Sequence, residues 1–152
     1  GASIVKSRVG LFREADVIFP EDNLYDRYQA GEHYDVIIAD EAQFFTPEQI
    51  DQLRQIVDEA DLPVLCFGLR TDFLTHLFPG SRRLMELADS ITEIKTVCAC
   101  GSKATVNARL DASGTILTTG SQVFLGGNDS YVAMCHRCWR KKIQAQQKSN
   151  LN

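Results

Sequence analysis

Two groups of residues in this sequence have types and spacings that suit chemistry. Cys98-Ala99-Cys100 and Cys135-His136-Arg137-Cys138 are tight cysteine pairs. Two close thiolate pairs brought together make a tetrahedral zinc site. Disulfides are the alternative, but Gly1 to Lys6 carry no secretory or transit-peptide pattern. The expectation is therefore a reducing, cytoplasmic compartment, where cysteine clusters bind metal. The C-x-C arm is one residue shorter than the usual knuckle, which leaves His136 as a reserve ligand. Cys66, inside the apolar run Pro63 to Gly68, reads as a buried, inert thiol.

The second group is Asp40-Glu41, which follows the apolar run Val36-Ile37-Ile38-Ala39. Open α/β sheets bind ligands beyond the carboxyl ends of their strands. A hydrophobic strand ending in Asp-Glu has the form of a Walker B element, whose Asp helps to hold Mg²⁺. The adjacent Glu is then placed to take a hydroxyl proton. A solvated or capping acid pair is the competing reading. The sequence has no G-x-x-x-x-G-K-[ST] to cradle phosphates.

The elements that must position these groups are readable in part. Asp16 to Phe19 reads as a short strand and Glu21 to Gln29 as a modest helix. Asp35 to Ala39 reads as a strand buried on both faces. Thr46-Pro47-Glu48-Gln49 is a helix start, with Thr46 as N-cap, Pro47 at the first position and Gln49 closing a capping box. Ile50, Leu53, Ile56, Val57 and Ala60 then form one apolar face. Leu62 to Phe67 is the next buried strand. Strand, helix, strand implies a parallel α/β sheet with a right-handed crossover. Ser81 to Ala88 reads as a helix and Ile91 to Thr96 as a last strand.

Beyond residue 97 the pieces shorten. Ala104 to Leu110, Ile116-Leu117 and Gln122 to Leu125 are β-prone and broken by glycines, so the metal must supply much of the stability there. Arg140 to Asn152 reads as a polar, fraying helix. This gives three expected units: an α/β core over 1–96, a zinc-binding segment over 97–143 and a polar tail over 144–152.

The 152 residues are 44% hydrophobic and 24% charged, with a net charge of −4. No run approaches the ~20 apolar residues of a membrane span. An acidic chain is a poor nucleic-acid partner. Two rival readings remain, a non-catalytic zinc-ribbon binding module and another P-loop ATPase with a zinc insert. The first predicts a basic, aromatic-studded surface near the cysteines; Lys95, Lys103, Arg137, Arg140, Lys141 and Lys142 give some basic character there.

Asp40-Glu41-Ala42-Gln43-Phe44-Phe45 resembles the D-E-x-Q-F-F element of the zinc-containing (type II) thymidine kinases, in their bacterial form. Gly68-Leu69-Arg70-Thr71-Asp72-Phe73 with Leu77-Phe78-Pro79-Gly80-Ser81 is similar to their next active-site segment. Cys98 to Gly101, Arg109-Leu110, Leu125 to Tyr131 and Cys135 are similar to their zinc domain and lasso loop. Val5 to Leu11 resembles the segment after their first sheet strands.

The resemblance implies a P-loop (RecA-like) parallel core with a small zinc-binding lasso domain. It implies transfer of the ATP γ-phosphoryl group, with Mg²⁺, to the 5′-hydroxyl of thymidine or deoxyuridine. Glu41 would be the base and Asp40 the residue acting through Mg²⁺. Phe44, Phe73 and Phe78, with Leu69, would wall the base pocket, and Asn107 would lie near the pyrimidine. Main chain at Phe124, Leu125 and Gly126 would read the pyrimidine edge, and Tyr131 would reach toward the nucleoside. Arg109 has two readings, a catalytic group or a salt bridge to the core. A homotetramer with dTTP as feedback inhibitor is also implied. The family's N-terminal Walker A region has no counterpart here, so the expected core is incomplete at its N-terminus and the chain as written is expected to be inactive.

Overall fold

The computed structural model describes residues 2–6, 11–123 and 129–151. The expected strand–helix–strand unit is present. Strand β3 (Ile37–Ala39) runs parallel to β4 (Val64–Cys66), pairing Ile37 with Val64 and Ala39 with Cys66. Helix α2 (Pro47–Ala60) makes the crossover. Its start follows from side-chain chemistry: Gln49 N–H donates to Thr46 Oγ1, and Thr46 N–H donates to Gln49 Oε1. That capping box satisfies two amides that a helix start otherwise leaves without partners.

Ahead of this unit, β1 (Ala2–Lys6) and β2 (Phe12–Asp16) pair antiparallel, and α1 (Leu24–Ala30) follows with Asn23 as N-cap. The strand expected over Asp16 to Phe19 is therefore displaced. Val17 to Phe19 are a connector, whose Ile18 packs on the core and whose Phe19 carbonyl accepts from Gln49 Nε2. Helix α3 (Pro79–Leu87) completes this half. Leu24, Ile50, Leu53, Ile56 and Leu62 form its core, joined by Ile37, Val64, Leu84 and Leu87.

Burial of β3 and β4 on both faces does not hold among the described residues. Ile37 and Ala39 face the helices, while Ile38 is 64% and Leu65 48% exposed. Side chains alternate across a strand, and α2 covers only one face of this pair. On α2, Ile50, Leu53 and Ile56 are buried as expected, Val57 is half-buried and Ala60 is exposed.

The second half is a set of hairpins. Strand β5 (Thr96–Val97) pairs antiparallel with β6 (Lys103–Ala104), and β7 (Val106–Leu110) with β8 (Ser130–Met134). The strand expected over Ile91 to Thr96 shrinks to its last residue plus Val97. Ile91 and Ile94 are exposed and have no ladder partner among the described residues. Helix α4 (His136–Ser149) begins before the expected tail and runs through residue 144. Gln146 holds it in place, accepting from Ile116 N–H and donating to Ile116 O in the manner of a strand partner. No helix among the described residues is long and apolar enough to cross a membrane.

Candidate functional site

The four cysteines converge. The β5–β6 hairpin turns through Cys98 and Cys100, and Cys135 directly follows β8. Cys138 lies in the first turn of α4. Their sulfurs all lie within 4.8 Å of one another, and Cys100 Sγ is 3.7 Å from Cys135 Sγ. A tetrahedron with zinc–sulfur bonds of ~2.3 Å has edges of about 3.8 Å, so the donor set and its size fit zinc.

The local sequence builds this geometry. Gly101 has φ +88°, a left-handed conformation that lets its N–H return to Cys98 O. Cys135 is the N-cap of α4, its sulfur accepting from Cys138 N–H, which places two of the four ligands at one helix start. The Ser102 hydroxyl and N–H draw the Cys100 thiol down to about 6. Cys100, Cys135 and Cys98 together push the Cys138 thiol up to about 12. Four thiolates this close repel one another, and a divalent cation removes that cost. His136 is not part of the cluster; its exposed ring meets the Trp139 ring edge-on.

The acid pair lies where the strand reading placed it. Asp40 and Glu41 follow β3, and Phe67 to Leu69 follow β4, so both segments leave the same edge of the sheet. Ala42 N–H donates to Phe67 O, which ties the two exits together. Glu41 is left-handed, φ +51° and ψ +40°, and starts a 3-10 turn over Ala42–Phe44. Its N–H donates to Asp40 Oδ1. A non-glycine residue in that region costs on the order of 1–3 kcal/mol and persists where surrounding contacts impose it.

The aromatic candidates divide. Phe44 and Phe78 pack edge to face at 5.6 Å beside the acid pair, Phe78 buried and Phe44 exposed. Leu69 is exposed, with its N–H donating to Gln43 Oε1 and its carbonyl accepting from Ser81 Oγ. Phe73 is only 2% exposed, with Arg109 lying over its ring at 3.8 Å. Asn107 is half-buried on β7, on the same face as Arg109 by strand alternation. Tyr131 is directly across from Arg109 on β8, and its hydroxyl accepts from Arg109 Nε. Phe124, Leu125 and Gly126 lie outside the described residues.

Arg109 is a buried joint between the two halves of the chain. It is 2% exposed, stacked on Phe73, and donates to Tyr131 Oη and Ser121 O. It thereby joins the core loop to the strand pair that carries the long 111–129 connection. Asp72 and Gln122 form a second joint that the sequence reading missed. Gln122 Nε2 donates to Asp72 Oδ2, while Asp72 Oδ1 accepts from Leu74 and His76 N–H. The available signal was an acid next to an aromatic residue in a short apolar loop. Gln43 was also not singled out by the sequence reading. It is a buried amide within Ala42 to Phe45, touching both strand exits.

Fold and site together define a mixed helix–strand protein with acids at the carboxyl end of a parallel strand pair and a four-cysteine cluster fit for zinc. The family model described as "Thymidine kinase" matches residues 1–139. A protein from Ruegeria pomeroyi named "Thymidine kinase" is 48% identical over 145 residues, covering 93% of this chain and 73% of the relative. Relatives with the same name from Yersinia pestis (47% over 149 residues, 95% and 76%) and Shewanella oneidensis (44% over 146, 94% and 76%) agree. The chain belongs to the thymidine kinase family.

Proposed function

We propose that this protein transfers the γ-phosphoryl group of ATP to the 5′-hydroxyl of thymidine or deoxyuridine, in deoxynucleotide salvage. The observation that carries the reading is Asp40-Glu41 at the carboxyl end of β3, facing the exit of β4, in a chain of this family. In it, Glu41 accepts the 5′-hydroxyl proton as the oxygen attacks, and Asp40 holds the metal side of the site. Mg²⁺ bound with ATP supplies charge neutralisation on the phosphates. Phosphoryl transfer depends mostly on positioning and charge, so two carboxylates on a braced turn suit it.

The base pocket in this reading is walled by Phe44, Phe78 and Leu69, with Phe73 buried behind Arg109. In the same reading Asn107 and Tyr131 face the nucleoside. Zinc on Cys98, Cys100, Cys135 and Cys138 is structural. The parallel β3–β4 pair supports a core of P-loop, RecA-like type. A cytoplasmic homotetramer inhibited by dTTP, the end product that shares the thymidine ring, belongs to the same reading.

Ligand-dependent melting tests it. Thymidine or dTTP at a hundred times its dissociation constant stabilises a protein by about 2.7 kcal/mol, a rise of about 5–10 °C at this size. No shift with either ligand contradicts the assignment.

A further inference from the structure

We propose that Gln43 is the positioning residue of the acid pair, fixing the Glu41 carboxylate against the loop that leaves β4. The inference rests on the reading of Glu41 as the base. Gln43 is 2% exposed, and both ends of its amide are engaged. Nε2 donates to Glu41 Oε2 at 2.5 Å, and Oε1 accepts from Leu69 N–H at 3.1 Å. Only one amide orientation satisfies both partners, since a carboxylate cannot donate and a peptide N–H cannot accept.

Leu69 is itself held from the other side, its carbonyl accepting from the buried Ser81 hydroxyl at 2.6 Å. The chain Ser81, Leu69, Gln43, Glu41 therefore runs from the start of α3 to the acid without a break. Gly68 leaves room for it: a Cβ there would lie 2.5 Å from Gln43 Oε1.

An exposed glutamate otherwise samples many rotamers, and a base that must meet one hydroxyl loses rate with each unproductive one. Gln43 selects one of them. It also makes the position of the base depend on the Leu69 loop, so the pocket wall and the reacting group move together. Gln43 touches no reacting atom in this scheme; it acts through Glu41.

The test uses the intact enzyme with Gln43→Glu, Glu41→Gln and the double variant. Gln43→Glu keeps an acceptor for Leu69 N–H and places a second carboxylate where Glu41 had a donor, so it isolates the Glu41 arm. Its kcat is expected to fall at least about tenfold, with the KM for thymidine within about threefold of the parent. In the Glu41→Gln background the same exchange is expected to cost less than about twofold, because the amide introduced at position 41 then donates to the new carboxylate. A Gln43→Glu kcat within threefold of the parent, or an equal loss in both backgrounds, overturns the proposal. If Glu41→Gln alone keeps its turnover, the reading of the base fails and the proposal falls with it. Loss in Glu41→Gln with no loss in Gln43→Glu removes the positioning role alone.

Discussion

The guanidinium of Arg109 lies 3.8 Å from the centre of the Phe73 ring and is almost wholly removed from solvent. The two residues belong to different halves of the chain, one on β7 and the other in the loop between β4 and α3. A buried cation over an aromatic face contributes about 2 kcal/mol, and the hydrogen bond to Tyr131 adds about 1 kcal/mol. Arg109→Met is therefore expected to lower stability by about 2–3 kcal/mol in urea titration. Thymidine affinity should fall as well, because Tyr131 loses the donor that orients it. Affinity equal to the parent would show that Tyr131 is placed by other contacts.

Gly68→Ala tests the brace from the side of the loop. Its Cβ would meet the Gln43 amide oxygen at 2.5 Å and backbone nitrogens of Gln43 and Ala42 at 3.0 and 3.2 Å. Two of those atoms are main chain, so the turn itself must shift. Overpacking of this kind costs typically about 1–3 kcal/mol. We expect a Tm lower by several degrees and a kcat reduced more than the thymidine KM is raised. An unchanged kcat would separate this turn from the chemistry.

Zinc uptake should release protons. Without metal, Cys138 is pushed up to about 12 by its thiol neighbours and so carries its proton near neutral pH. Cys100, drawn from 9.0 to about 6 by Ser102, is already largely a thiolate there. The signs differ. The lowered Cys100 favours the metal-free fold fully above 9.0 and loses that contribution as pH falls through about 6. The raised Cys138 contributes below 9.0 and loses its contribution as pH rises through about 12. Calorimetry in two buffers of different ionisation enthalpy should show at least about one proton released per zinc near neutral pH, and weaker binding below about pH 6. Uptake without proton release would contradict a four-thiolate site.

Thr46→Ala removes the cap of α2 without touching the acids. It should cost about 1 kcal/mol, with turnover unchanged. Chemical denaturation and the kinase assay measure the two effects on one sample.

The readable part of this fold was local. The capping box and the apolar period of α2 specify a helix from side chains within four residues of one another. The two apolar runs around it could then pair in parallel. The misread strands depended on remote partners. Val17-Ile18-Phe19 looks strand-like, yet α1 and α2 draw Ile18 inward and Gln49 binds the Phe19 carbonyl. Ile91 and Ile94 had no neighbouring strand to join among the described residues.

At the site, the cysteine cluster was legible because metal binding demands particular residue types and spacing, and the place of Asp40-Glu41 after β3 was legible from the apolar run before it. Gln43, Asp72 and Gln122 were not legible in the same way. An amide or a buried carboxylate gains its role from hydrogen-bond partners that only the folded chain brings near.

Glu41 carries the proposed chemistry. The most direct measurement is phosphoryl transfer from labelled ATP to thymidine by the intact enzyme and its Glu41→Gln variant, with thymidine binding followed in parallel. General-base catalysis contributes about 10²–10⁴-fold, so the variant should lose at least about a hundredfold in kcat while binding thymidine like the parent. A variant that still turns over within about threefold of the parent would place the base elsewhere and contradict the account.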